Sequence, residues 1–254
     1  AFRLFDPERA GTCPDRQSAL AHWMQSGGAP SIILGRARYA EDLLEKAVQQ
    51  EGVHQYVILG AGMDTFAWRR PDLMEQLKVL EVDHPATQAH KRQRLREAGL
   101  KHPSRLHFVP ADFSREDLAT ALRRSEYDPE APSFFSWLGV TYYLTRGATL
   151  ATWAAIAKVA PAGSAVIFDY LDTDAFVPEK AARRVQFMIE IVRRVGEPML
   201  TGFDPASLPG DLARLGLRLL EDLDPADIEA RFFKGRLDGY HACEHAHYAR
   251  AEII

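Results

Sequence analysis

Short apolar runs alternate along the chain with longer segments of helical period. Tyr56-Val57-Ile58-Leu59 is a run of four strand-forming residues, and an unbroken apolar run suits a strand covered on both faces. Ahead of it, Ile32-Ile33-Leu34 leads into a helix predicted over 36–50, apolar at Ala40, Leu43, Leu44 and Ala47. Another helix is predicted over 16–26, with Leu20, Trp23 and Met24 at helical spacing. Beyond Leu59, strands are predicted at 78–83, 106–109, 133–138, 164–170 and 217–220, and helices at 64–70, 84–98, 114–124, 149–159, 204–215 and 228–233. Strands and helices in strict alternation imply a parallel sheet with helices on both faces. The alternation breaks once. At 171–203 a helix predicted over 179–195, with Ala182, Val185, Met188, Ile189 and Val192 on its apolar stripe and Phe187 off it, follows the fifth strand. An insertion there lies over the C-terminal strand ends, where open α/β sheets bind ligands. It reads as a substrate lid, or as a lid that also packs at a dimer contact. The last run, 242–254, is predicted as a final strand, antiparallel beside the fifth.

The first strand breaks into Gly60-Ala61-Gly62 and then Met63-Asp64-Thr65. Glycines there let the backbone turn sharply and let a flat ligand approach the main chain. The second strand, Lys78-Val79-Leu80-Glu81-Val82-Asp83, ends in carboxylates, with Asp83 twenty-one residues after Gly62. At that spacing a nucleotide-binding α/β unit sets a carboxylate on ribose hydroxyls. A dinucleotide turn carries a third glycine and meets a pyrophosphate. Here the third position is Thr65, and Asp64 stands where phosphate would approach, a repulsive arrangement. A phosphate-free adenosine with a cationic group, S-adenosylmethionine, suits these residues better. Asp64 has a structural alternative as a helix N-cap.

Gly60-Ala-Gly-Met-Asp-Thr-Phe-Ala-Trp-Arg69 and Glu81-Val-Asp-His-Pro85, with Arg36-Ala-Arg38, Pro110-Ala-Asp112-Phe113 and Trp137-Leu-Gly-Val-Thr-Tyr-Tyr143-Leu-Thr, form a series of words in a fixed order. This series resembles the leucine carboxyl methyltransferase family, which includes bacterial small-molecule O-methyltransferases, over roughly residues 30 to 170. The resemblance implies a class I methyltransferase of Rossmann-like α/β fold that uses S-adenosyl-L-methionine. It implies a cofactor site at Arg36 (Arg38 as fallback), Gly60, Ala61, Gly62, Asp64, Glu81, Asp83, Asp112, Phe113 and Trp137. Arg36 would hold the methionine carboxylate, Asp83 the ribose, and Asp112 the adenine amine with Phe113 over the ring. Asp112 has a second reading as an N-cap of the helix at 114–124. Many family members carry a glutamate where this chain has Leu138, so one contact to the cofactor is lost, and a backbone carbonyl is the substitute at hand. Tyr142 and Tyr143 are pocket candidates, or packing residues under the next helix. No catalytic base is assigned.

The expected architecture is one domain over 1–254: a mostly parallel seven-stranded sheet, a helical cap at 1–50 and the lid at 171–203. A net charge of −4 from 31 basic and 35 acidic residues argues against nucleic acid as a partner. No apolar run approaches the roughly 20 residues of a membrane helix, and no charged-then-apolar leader is visible. Cys13 and Cys243 are expected as free thiols in the cytoplasm. His241, Cys243, His245 and His247 alternate, so a strand would place them on one face. Same-face side chains fan out and cannot all converge on one tetrahedral ion, so no metal is expected. The expected partner is a small-molecule acceptor, carboxylate or hydroxyl, with a homodimer left open. The competing functions are a nicotinamide-dependent oxidoreductase and a non-catalytic binding module on a methyltransferase scaffold.

Overall fold

Seven strands form one sheet in the order β3-β2-β1-β4-β5-β7-β6. They are β1 (Gln55–Leu59), β2 (Lys78–Asp83), β3 (Leu106–Pro110), β4 (Ser133–Trp137), β5 (Ala165–Leu171), β6 (Leu217–Leu223) and β7 (Ala246–Ile253). This computed structural model describes residues 29–113 and 115–254; the helix predicted over 16–26 and Cys13 lie outside the described residues. The first five strands are mutually parallel, and β7 runs antiparallel between β5 and β6. The expected sheet and its antiparallel last strand are therefore present. The strand order reverses between β1 and β4, which is where a doubly wound sheet opens a crevice for ligands.

The pleat of β1 divides the core. Tyr56 and Ile58 face a cluster with Tyr39, Leu43, Leu44 and Ala47 of α1 (Ala29–Gln50) and with Phe66 of the short helix α2 (Phe66–Arg69), which α3 (Pro71–Met74) follows. Val57 and Leu59 face the opposite cluster. There, side chains of α5 (Leu118–Arg123), α6 (Arg146–Val159) and α8 (Leu208–Ala213) meet Phe135, Trp137 and Phe168. Between β2 and β3 runs α4 (Pro85–Glu97), opened by proline at its first position. Trp153 of α6 is fully buried, with ring centroids 4.8 Å from Phe168 and 5.1 Å from Phe203. Aromatic pairs at such separations add about 0.5–1.5 kcal/mol beyond burial.

Several boundaries differ from the sequence expectation. The apolar lead-in at 32–34 is continuous with α1 rather than separate from it. The helix expected from 114 starts at Leu118, because Asp117, not Asp112, caps it by accepting from the Thr120 amide at 2.7 Å. The inserted helix, α7 (Arg183–Arg194), is shorter than expected and is preceded by a 3-10 turn at Thr173–Phe176. It packs Val185, Met188 and Ile189 on Tyr142, Tyr143 and Leu171, at the C-terminal ends of β4 and β5. Its return is tied down by the Leu200 amide donating to the Tyr142 carbonyl at 2.6 Å and by Thr201 Oγ1 donating to the Leu144 carbonyl at 2.6 Å. After β6, α9 (Pro225–Ile228) leads through a π turn at Glu229–Phe233 toward β7.

The histidine-rich run is not a strand. His245 has φ +68°, so the chain turns there and β7 begins only at Ala246. Of the alternating set only His247 lies in the strand. Among the described residues no group of three or more His, Cys, Asp or Glu is placed to hold a metal ion.

Candidate functional site

The turn after β1 is braced by a carboxylate. Asp83 Oδ2 accepts from the Gly62 amide at 2.5 Å and its Oδ1 from the His84 amide at 2.6 Å. The Gly60 amide donates to the Val82 carbonyl at 2.9 Å, so the turn is pinned to the end of β2. Gly60 sits at φ +65°, and a Cβ added there would lie 2.7 Å from Val140 Cγ2. Gly62 also has positive φ, +48°, and no side-chain atom lies within 4 Å of an added Cβ. The turn thus needs glycine for its backbone at both positions and for space at the first. Asp64 Oδ1 accepts from the Phe66 amide at 2.6 Å, serving the first turn of α2. The N-cap of α2 is Thr65, so Asp64 is not the cap itself; from one residue earlier its carboxylate holds the first helical amide.

Arg36 reaches the same end of the sheet from α1. A Cβ added to Gly35 would lie 2.6 Å from Tyr248 Oη, so α1 crosses close to β7, and Tyr248 Oη donates to the Ile32 carbonyl at 3.2 Å. The next residue, Arg36, lies over the tips of β4 and β5. Its Nη1 donates to Asp169 Oδ2 at 2.9 Å and to Tyr142 Oη at 2.8 Å. Its guanidinium packs against Gly139, at φ +76°, where an added Cβ would sit 2.4 Å from Nη2. Burial lowers the basicity of Arg36, but the attraction of Asp169 and then Tyr142 outweighs it and the net shift is upward. The group stays charged. Arg38, the fallback, is in solvent with Asp42 as its partner at 2.8 Å.

Asp112 and Phe113 follow β3 at the same edge. Asp112 is half-buried with Arg115 3.4 Å away, and Phe113 is 53% exposed. Tyr142 and Tyr143 stack edge-on with centroids 4.8 Å apart. Desolvation raises the pKa of the Tyr142 hydroxyl, so it stays protonated at neutral pH.

Two of the expected site residues have buried side chains. Glu81 is 1% exposed and pairs with Lys91 of α4 at 2.5 Å. The ring of Trp137 is buried against Trp153, 6.1 Å between centroids. Both faces of a doubly covered strand are interior, and both of these side chains join the core. Sequence reasoning missed Asp169. Its signal was a lone carboxylate inside the apolar run Ala165-Val-Ile-Phe-Asp-Tyr-Leu171, since a buried charge requires a partner.

The strand order, the reversed last strand, the bare glycine turn and the acid at the tip of β2 define the class I methyltransferase fold. A model of the family described as leucine carboxyl methyltransferase matches residues 4–157, more than half of the chain. The chain belongs to that family. YktD of Bacillus subtilis (strain 168), whose name places it provisionally among S-adenosyl-L-methionine-dependent methyltransferases, is 37% identical over 255 residues, covering 98% of this chain and 81% of that one. Among solved structures, a DUF574 family protein from Streptomyces avermitilis superimposes with TM-score 0.63 at 13% identity, over 89% of this chain and 86% of that one. Magnesium protoporphyrin IX methyltransferase (ChlM) from Synechocystis PCC 6803, with bound SAH, does so with TM-score 0.53 at 11% identity, over 89% and 86%. At these identities the structural likenesses speak for the fold.

Proposed function

We propose that the chain transfers the methyl group of S-adenosyl-L-methionine to an oxygen of a small molecule, a carboxylate in preference to a hydroxyl. The methyltransferase class and the S-adenosyl-L-methionine dependence follow from the family and from the similarity to YktD. The residues at the crevice fit that cofactor. The turn leaves its backbone bare through Gly60 and Gly62, Asp64, Asp83 and Asp112 supply acceptors where a diphosphate would need cations, and Arg36 keeps donors for a carboxylate. A nicotinamide dinucleotide would bring its diphosphate against Asp64 and Asp83.

In this reading Asp83 accepts from the ribose hydroxyls while it holds the turn. Asp112 accepts the adenine amine, Phe113 covers the ring, and the Arg36 fork binds the methionine carboxylate. When bound, the cofactor supplies a sulfonium-activated methyl with a neutral thioether as leaving group. The chain's own work is alignment of the acceptor and exclusion of water. Tyr142, Tyr143 and the lid at 171–203 wall the acceptor side.

The observation that favours a carboxylate is the state of His245. Its Nδ1 faces Asp172 Oδ1 at 2.9 Å and its Nε2 accepts from the Ala182 amide at 3.1 Å. Both nitrogens of this imidazole at the lid base are engaged, and the Tyr142 hydroxyl stays protonated. A carboxylate is already ionised at neutral pH and needs no base, whereas a hydroxyl does. No helix among the described residues is long and apolar enough to cross a membrane, and we place the reaction in the cytoplasm. The test is transfer of labelled methyl to a panel of small carboxylic acids and phenols. Label released as methanol by mild base supports an ester product; base-stable label on phenols, or label on nitrogen, overturns the carboxylate assignment.

A further inference from the structure

We infer that Asp169 is a positioning residue that aims the Arg36 fork at the amino-acid end of the methyl donor. The inference rests on the cofactor reading above. Asp169 lies on β5, one residue past the Trp137–Phe168 pair that joins β4 and β5, and so stands beside Leu138. Its side chain is 2% exposed. Both of its oxygens are committed: Oδ1 accepts from the Gly139 amide at 2.6 Å and Oδ2 from Arg36 Nη1 at 2.9 Å.

This arrangement has three consequences. The Gly139 bond holds the carboxylate in one rotamer against the β4 tip, and the flanking residue makes room, since a Cβ at Gly139 would overlap the guanidinium. The bond to Nη1, with Tyr142 Oη on the same nitrogen, uses one corner of the planar fork. The fork carries five donors, so its Nε and Nη2 side remains for a carboxylate, which a guanidinium binds through two parallel bonds. Finally, Asp169 neutralises Arg36, so a bound amino-acid zwitterion meets a site with no net charge. The buried carboxylate stands one strand over from Leu138. A site gains from a supporting shell that fixes its contact residue, and Asp169 is that shell.

The experiment compares two ligands that differ only in the amino-acid end. S-adenosylhomocysteine carries it, and 5′-methylthioadenosine does not. Both are titrated calorimetrically into wild type and Asp169→Asn, which keeps the acceptor for the Gly139 amide and removes the charge. The expected result is at least a tenfold loss of S-adenosylhomocysteine affinity with methylthioadenosine affinity within twofold. In an Arg36→Met background, Asp169→Asn is expected to change neither affinity. Asp169→Glu, which keeps the charge and shifts it by one methylene, is read in the same way and serves if the Asn variant does not fold. Equal loss for both ligands would mean a merely structural role, and no loss for either would mean no role; each overturns the inference. Failure of wild type to bind either ligand would instead remove the cofactor reading itself.

Discussion

Replacing Asp83 with Ala removes a single carboxylate that has two jobs, and the structure separates them. The first is structural. The side chain accepts from the Gly62 and His84 amides at 2.5 and 2.6 Å, and hydrogen bonds to a charged group contribute about 1.5–3 kcal/mol each. Asp83 is half-buried, so water recovers part of this, and a net loss of about 2 kcal/mol is expected. For a chain of this size that lowers Tm by roughly 4–8 °C, which leaves the protein folded at 25 °C. The second job is binding. Two ribose hydroxyls donating to the carboxylate, taken at the low end of the same range, amount to about 3 kcal/mol, or roughly 100-fold in Kd. Calorimetric titration at 25 °C reads this directly. S-adenosylhomocysteine and methylthioadenosine must both weaken, because both carry the ribose, unlike the selective loss expected for Asp169→Asn. Asp83→Asn is expected to fall between wild type and Ala. A folded Asp83→Ala that binds S-adenosylhomocysteine within threefold of wild type would refute the ribose assignment.

Other substitutions test the surroundings. Gly60→Ala forces a side chain into φ +65° against Val140, which costs about 1–2 kcal/mol for the backbone and a similar amount for the overlap; Val140→Ala should recover only the second part in urea unfolding. Above about pH 7, where Glu81 is ionised, Glu81→Gln leaves Lys91 buried and unpaired and is expected to lose about 3–5 kcal/mol, whereas Glu81→Met with Lys91→Met should match or exceed wild type. Burial pushes the Glu81 carboxyl from 4.5 up to about 7, against the pull of Lys91. Between pH 4.5 and about 7 the folded state therefore holds a proton there that the unfolded chain has released. The stability from this group is full below pH 4.5 and is lost as pH rises through about 7. The Tm of wild type should accordingly fall relative to the double variant between pH 5 and 8. His245→Ala removes the bonds to Asp172 and the Ala182 amide, and trypsin should then cut at Arg183, Arg184, Arg193 or Arg194 several-fold faster than in wild type.

The central strands were readable because they carry short apolar runs set off by glycine and proline. Tyr56 to Leu59, followed by the glycine turn, located the crevice. Asp83 was readable because it ends a strand at a fixed distance from that turn. Arg36 was preferred over Arg38 by resemblance; the geometry adds that the close crossing at Gly35 brings only the first of them over the sheet. The side chains of Glu81 and Trp137 are buried because β2 and β4 are covered on both faces. The alternation at 241–247 imitated a strand because period two says nothing of the backbone, and the left-handed residue at His245 ends the pattern. Asp169 was visible as an anomaly in an apolar run, but its partners lie 133 and 30 residues away in sequence, a pairing that only the folded chain reveals.

The most direct measurement is a crystal structure of the protein soaked with S-adenosylhomocysteine. The account predicts the ribose on Asp83, bare turn backbone beside the adenosine, the homocysteine carboxylate on the free side of Arg36, and sulfur pointing toward Tyr142 and the lid. An adenosine bound away from Asp83, or a crevice that takes a diphosphate-bearing nucleotide in its place, would contradict it.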